Sequence, residues 1–261
     1  MGKNPAKDFG PIADDYAFFE THATEAEQDC GAYVERLAGI VPAAGPLRLL
    51  DFGCGAGTFT VRFLQRAAWP PERLWLTLVE PVEAARRQAV TGLAGYTGHP
   101  VVDSATLAGG TAAVFDIVLA NHVLYYVPEL RSQLAGLLDA LSPAGVFVTA
   151  IAPRTNALIE FWVAGFRLLG REVPYNTSED VEADLRHFGA AYRKEAVAYC
   201  LEFPDTEVNR VRILRFLLAE HLAQMPHRPL LDLFDRYARS GWVKIRTASD
   251  HFTVRSKLNG G

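Results

Sequence analysis

The sequence predicts an α/β fold: a mostly parallel sheet with helices on both faces, N-terminal helices before it and a helical insertion before the last strand. Three observations predict it. Short β-type runs alternate with helical periodicity through residue 152. A glycine-rich turn, Asp51-Phe-Gly-Cys-Gly-Ala-Gly57, joins one such run to the helix that follows. An acid, Glu80, stands at the end of the next run.

Composition is consistent with this. The 261 residues are 49% hydrophobic and 21% charged, so apolar material for a core is ample and the charge content is ordinary. A net charge of −4 lacks the basic field that a nucleic-acid binder needs, so no nucleic-acid partner is expected. Cys30, Cys54 and Cys200 offer neither a Cys-x-x-Cys pair nor a disulfide framework, and a reducing cytoplasm is the expected compartment. Met1 to Gly10 has no apolar core of a signal peptide. No apolar run approaches the roughly 18 residues of a membrane span, so no membrane partner is expected. His22, His99, His187, His221, His227 and His251 show no zinc-ligand spacing, and no metal is expected.

Taken in order, Asp14 to Val41 reads as helical, with Thr24-Glu-Ala-Glu27 as a capping box, until Pro42-Ala-Ala-Gly-Pro46 breaks it. Leu47–Phe52 reads as a strand, Thr58–Ala68 as a helix, Leu74–Val79 as a strand and Val82 to Leu93 as a helix. His99–Val102 is a short strand, Ala105–Ala113 a loop and Val114–Ala120 a strand. A helix over Leu130–Leu141, a turn at Pro143-Ala-Gly145 and a strand over Val146–Ile151 complete the alternation. Then come helices over Asn156–Leu169 and Ser178–Phe188, a strand over Tyr192–Phe203, helices over Glu207–Gln224 and Leu230–Ser240, and a closing strand over Val243–Val254. The Gly260–Gly261 end is expected to be loose. One domain over 1–261 is expected, with a core at 47–152 and a lid drawn from 8–41 and 155–242.

The glycines of the turn let the backbone bend tightly and approach a ligand, at a helix N-terminus whose amides face the same place. Glu80 lies one β-α-β unit further on, where a carboxylate can accept hydrogen bonds from ribose hydroxyls. A dinucleotide fingerprint would need glycine at position 58, where the chain has Thr58.

Gly-x-Gly-x-Gly after an acid instead resembles motif I of class I S-adenosylmethionine-dependent methyltransferases, and Leu47 to Ile151 resembles their common core. The resemblance implies a Rossmann-like, seven-stranded, mostly parallel sheet, S-adenosylmethionine as cofactor and S-adenosylhomocysteine as product. It also assigns positions. Asp51, Gly53, Gly55 and Gly57 match the residues that hold the methionine part, and Glu80 with Pro81 matches the ribose-binding acid. Asp103-Ser104 matches the pair facing adenine, and Asn121-His122 the segment beside the methyl group. A narrower resemblance is to histamine N-methyltransferase, in Phe19-Glu-Thr-His-Ala-Thr-Glu25, Val79-Glu-Pro81, Leu124-Tyr-Tyr-Val127, Phe216-Leu-Leu-Ala-Glu220 and His251-Phe-Thr-Val254. There the acid at the Glu25 position binds the substrate amine, and the position of His122 holds glutamine.

Glu25 is thus expected either to anchor a substrate amine or to serve as a helix-capping acid. His122 either accepts a proton from the nucleophile or packs as a hydrogen-bonded histidine. Tyr125 and Tyr126 either wall the substrate cavity or pack under a helix, and Tyr16 and Phe19 either form a lid or staple the core. The expected activity is methyl transfer to a small molecule, an amine or ring nitrogen first, an oxygen or carbon of a natural-product intermediate second. A non-catalytic S-adenosylmethionine-binding protein is the reading outside enzymology. Monomer and homodimer are both compatible with the sequence.

Overall fold

The computed structural model describes residues 10–107 and 114–256. The expected loop over Ala105–Ala113 is therefore described only as far as residue 107, and the leader reading of Met1 to Gly10 and the Gly260–Gly261 end fall on residues outside that range, save Gly10.

Two helices, α1 (Ala13–His22) and α2 (Glu25–Ala38), precede the alternating part. That part runs β1 (Leu47–Phe52), α3 (Thr58–Ala67), β2 (Leu74–Val79), α4 (Glu83–Leu93), β3 (Val102–Ser104), β4 (Phe115–Asn121), α5 (Leu130–Asp139) and β5 (Leu141–Ile151). The remainder is α6 (Ile159–Leu168), α7 (Ser178–His187), β6 (Tyr192–Pro204), α8 (Glu207–Leu218), α9 (His227–Asp232), β7 (Ala238–Arg239) and β8 (Trp242–Arg255). The strands form one sheet in the order β3-β2-β1-β4-β5-β8-β6, with the two-residue β7 paired to β8. β3, β2, β1, β4 and β5 are parallel, and β8 runs antiparallel between β5 and β6. This is the expected fold, a mostly parallel sheet with helices on both faces.

Alternation along the central strands divides the core in two. Leu50, Val118, Ala120, Phe147 and Ile151 face one layer, which holds apolar residues of α1 and α5 to α9. Leu49, Ile117, Leu119, Val146, Val148 and Ala150 face the other, packed on Tyr33 and Leu37 of α2, Phe63 and Leu64 of α3, and Ala89 and Leu93 of α4. Strands buried on both faces read as continuous apolar runs, which is why they were legible without alternation.

Several boundaries differ from expectation, each for a local reason. The first helix is two. Ala23 is extended and bridges Leu201 of β6, while Thr24 exchanges hydrogen bonds with Cys200, its amide donating to the carbonyl at 2.9 Å and its hydroxyl accepting from the amide at 3.0 Å. The Thr24 hydroxyl is spent on β6, so no capping box forms there; one forms at Thr177 and Asp180, ahead of α7. The third strand begins at Val102 rather than His99, because the His99 amide turns back to the Thr97 hydroxyl and its ring stacks on Trp75. Pro143-Ala-Gly145 lies inside β5 and coincides with a register shift against Phe115. The helix expected to run from Glu207 to Gln224 stops at Leu218 and passes into a 3-10 turn. The stretch expected as one helix over Leu230–Ser240 is α-helical only to Asp232; a 3-10 turn at Asp235–Tyr237 follows, and Ser240 and Gly241, both at positive φ, turn β7 into β8 as a tight hairpin. Among the described residues no helix is long and apolar enough to cross a membrane.

Leu49 and Leu50 are neighbours, both fully buried, in opposite core layers. Leu49→Ala and Leu50→Ala are each expected to lower unfolding free energy by about 2–5 kcal/mol, read by urea denaturation. A strand with one wet face would show the loss for only one of the two.

Candidate active site

At the carboxyl edge of the sheet, β1 ends in the glycine turn. Gly53, Gly55 and Gly57 all have positive φ. Close approach demands two of them: a Cβ on Gly53 would stand 2.2 Å from Val123 Cγ2, and one on Gly57 3.0 Å from Ala89 Cα. At Gly55 the same position is open, with no atom within 4 Å. The Gly53 amide donates to the Val79 carbonyl at 2.7 Å and so ties the turn to the end of β2.

Glu80 follows directly. One carboxylate oxygen accepts from the Gly55 amide at 3.0 Å and the other from the Val82 amide at 2.9 Å. Each oxygen keeps acceptor capacity, since a carboxylate offers about four lone-pair sites. The Glu80 amide donates to the Ser104 carbonyl at 3.0 Å, and Arg86 bridges the Glu80 carbonyl at 2.6 Å and the Asp103 carboxylate at 2.8 Å. The structure thus brings Glu80, Pro81, Asp103 and Ser104 to one rim with the glycine turn. Asp51 lies behind, buried, accepting from the Thr60 hydroxyl. Burial pushes its carboxyl up to about 7, against the Thr60 hydrogen bond and with help from the Glu80 charge. A cradle left open at Gly55, carboxylate acceptors at Glu80 and a buried acid at Asp51 fit a ligand that carries ribose hydroxyls and positive charge.

Beside this rim, β4 delivers Asn121 and His122. His122 has φ 51°, a left-handed conformation uncommon for a residue with a side chain, and its amide bonds the Ala150 carbonyl at 3.0 Å. Its Nε2 lies 3.0 Å from Asp29 Oδ2 and 3.6 Å from Glu25 Oε1, and its Nδ1 lies 3.1 Å from the Tyr125 hydroxyl. Asn121 is turned to α2, accepting from the Tyr33 hydroxyl at 2.8 Å and donating to Asp29 at 3.4 Å. The buried Asp29 takes a further hydrogen bond at 2.8 Å from His251 of β8. Glu25 accepts from the Ser249 hydroxyl at 3.4 Å, and Tyr199 of β6 lies close by. Glu25 is therefore no capping acid and no solvated helix residue: its carboxylate points inward, into the cluster.

The electrostatics alternate. Burial opposes charge on His122, but the Glu25 and Asp29 carboxylates outweigh it and hold the imidazole up at about 9. Burial would raise Asp29, yet His122 and then His251 hold it below the ordinary carboxylate range. Burial raises Glu25, with the His122 charge pulling against it. His251 is held below the ordinary histidine value by burial. Among the described residues no group of three or more His, Cys, Asp or Glu is placed to hold a metal ion.

The aromatic expectations separate. The Tyr125 hydroxyl accepts from the Ala152 amide at 2.6 Å and its ring sits edge-on to Trp162, so it braces His122 from within the core. Tyr126 is half-buried against Tyr175. Phe19 is buried and stacked on Phe216 at 4.3 Å, whereas Tyr16 on the same helix is exposed. Sequence reasoning missed Asp29, Tyr33, Tyr199, Ser249 and His251. The signal for two of them was present: Glu25, Asp29 and Tyr33 recur every fourth residue, on one face of a helix.

The methyltransferase domain family matches residues 22–195 of the chain. The chain is similar to the trans-aconitate 2-methyltransferases of two Rhodopseudomonas palustris strains. Identity is 31% over 51% of this chain and 47% of the BisB18 enzyme, and 29% over 90% of this chain and 88% of the BisA53 enzyme. It is 28% identical to a ubiquinone biosynthesis O-methyltransferase of Bradyrhizobium sp. ORS 278, over 56% of this chain and 55% of that one. Among solved structures it resembles the YcgJ protein of Bacillus subtilis, with a TM-score of 0.60 and 14% identity over 88% of this chain and 98% of that one. With the glycine turn, Glu80 and the strand order already in place, the chain belongs to the methyltransferase domain family and is a class I S-adenosylmethionine-dependent methyltransferase.

Proposed function

We propose that the protein methylates a nitrogen of a small amine, with Glu25 as the group that receives it. The observation that carries this reading is the Glu25 carboxylate, only 14% exposed and turned inward among His122, Ser249 and Tyr199 beside the rim that carries the glycine turn. Two carboxylates, Glu25 and Asp29, face one imidazolium there, and the surplus negative charge suits a basic acceptor. The resemblance of Phe19–Glu25 to the amine-binding segment of histamine N-methyltransferase supports the same assignment.

In this reading Gly53, Gly55, Gly57 and Asp51 hold the methionine part of S-adenosylmethionine, Glu80 with Pro81 the ribose, and Asp103 with Ser104 the adenine side. When bound, the cofactor supplies a methyl carbon already activated by a positively charged sulfur. What remains for the chain is to present a nitrogen with a free lone pair and to take up its proton. Glu25 accepts a hydrogen bond from the amine N–H and then receives the proton released after nitrogen gains the methyl group. His122 acts by charge: both its ring nitrogens are engaged, and its positive charge opposes the protonation that burial favours at Glu25. Tyr126 and Tyr16 contribute aromatic walls, and Phe19 fixes α1 against α8. Helices drawn from 10–41 and 155–242 act as the lid over the core sheet, to which β6 belongs, within one domain.

A second reading, transfer to oxygen, is favoured by the relative named as an O-methyltransferase. There a neutral His122, backed by Asp29, would have to remove a hydroxyl proton. The high imidazole value disfavours this at neutral pH.

Glu25→Gln is expected to raise KM for an amine acceptor at least about tenfold, the scale of one charge-assisted contact, while leaving S-adenosylhomocysteine affinity unchanged. An assay of amines, phenols and carboxylic acids with methyl-labelled cofactor checks the acceptor class; turnover confined to oxygen acceptors contradicts the proposal. Stability carries an independent signature. His122 keeps its proton to about 9 when folded and to about 6.5 when unfolded. Its contribution is fully present below about 6.5 and is lost as pH rises through about 9. Urea midpoints are expected to fall across that window, and His122→Gln to flatten the fall.

A further inference from the structure

Asp29 has no role in the function proposed above beyond its charge, yet it is the most heavily bonded side chain of the cluster. Oδ1 takes the His251 Nε2 hydrogen bond at 2.8 Å, and Oδ2 takes His122 Nε2 at 3.0 Å and Asn121 Nδ2 at 3.4 Å. It arrives on α2 one turn after Glu25, so both carboxylates reach His122 from the same helix face.

His251 shows why this arrangement has one stable form. Its side chain has no exposed surface, and among the described residues its Nδ1 has no hydrogen-bond partner. A proton on that nitrogen would be a buried donor left unpaired, which is costly, so the ring stays neutral and donates only from Nε2. Asp29 is thereby an ionised acceptor fixed from one side, and it faces His122 on the other.

We propose that Asp29, locked by His251, is a positioning residue of the methyltransferase: it aims the His122 Nε2–H and retains the imidazolium beside Glu25. The groups facing this unit are Glu25, Tyr33 and Arg36 of α2, Asn121 and Tyr125 at the end of β4, Tyr199 of β6, and Ser249 of β8. Arg36 is committed to Glu195 at 2.7 Å, which leaves Glu25 and Asp29 as the anions directly against His122. The order is a neutral His251, an anionic Asp29, a cationic His122 and Glu25, the group that meets the acceptor. The inference rests on the proposed function only for the role of Glu25; the placement of His122 stands apart from it.

The test therefore reads His122 itself. Nitrogen-15 NMR titration of the free protein is expected to place the His122 midpoint near 9 in the wild type and nearer its ordinary value, about 6.5, in Asp29→Asn. In the same variant kcat should fall about 100-fold, the scale of a lost general base, because Glu25 loses the neighbouring positive charge that opposes its protonation, with KM for the acceptor changed far less. His251→Leu and His251→Gln form a second, milder pair: the first should lower the His122 midpoint and kcat, and the second, which still donates to Asp29, should restore both in large part. If Asp29→Asn does not fold, the His251 pair decides. An unchanged His122 midpoint in Asp29→Asn, or identical titrations in the two His251 variants, overturns the proposal. A shifted midpoint with undiminished turnover on every acceptor would keep the placement and overturn the positioning role. A shifted midpoint with a lower kcat but no effect of Glu25→Gln would uphold Asp29 and remove Glu25.

Discussion

The Glu80 carboxylate, bonded at once to the amides of Gly55 and Val82, is the contact on which the rest of the site depends. Parallel strands end at the sheet's rim with their last backbone groups unpaired by the ladder, and those groups need partners. Here one acidic side chain serves both the turn after β1 and the turn after β2. It fixes the glycine loop in a shape that favours glycine, since a Cβ on Gly53 would collide with Val123, one on Gly57 would press on Ala89, and all three glycines have positive φ. The same carboxylate keeps spare acceptor sites, so the group that closes the rim is also able to bind a ligand at it.

The second half of the site follows from where that rim lies. β4 ends beside it, and the left-handed His122 turns its ring away from the strand direction toward α2. α2 can come close because the chain breaks at Ala23-Thr24 and pairs briefly with β6 there. A single helix through residues 14–41 would have no such anchor. The antiparallel β8 between β5 and β6 adds Ser249 and His251 to the same spot. Three segments distant in sequence thus converge on one alternating row of charges, and burial makes each charge depend on its neighbour.

The rim was legible in the sequence and the charge row was not, for a physical reason. Glycines at a strand-to-helix turn and an acid one β-α-β unit later are local features, and local geometry explains them. β1 and β2 have the boundaries expected because they are short apolar runs bracketed by turn residues. The short hairpin at Ser240-Gly241 is also local, but Ser240 reads as the last residue of a helix over Leu230–Ser240. Asp29 and His251 are different. An acid in a helix rich in charged residues reads as solvated, and a lone histidine in a strand reads as packing, until the two elements are placed in contact. Glu25 closes a segment, Phe19–Glu25, whose expected likeness to an amine-binding one singles it out; Asp29, one turn further along the same face, carries no such mark. Thr24, expected to cap α2, shows the converse: a local motif of the right composition was overruled because a strand amide competed for its hydroxyl.

The central claim is that the Gly53–Gly57 turn and Glu80 together bind the adenosyl cofactor. Isothermal titration calorimetry of the purified chain with S-adenosylhomocysteine tests it most directly, against Glu80→Ala as the control. The account predicts saturable one-to-one binding by the wild type and its loss or severe weakening in a variant that remains folded. Absence of heat from the wild type, or equal affinity in the two proteins, would contradict it.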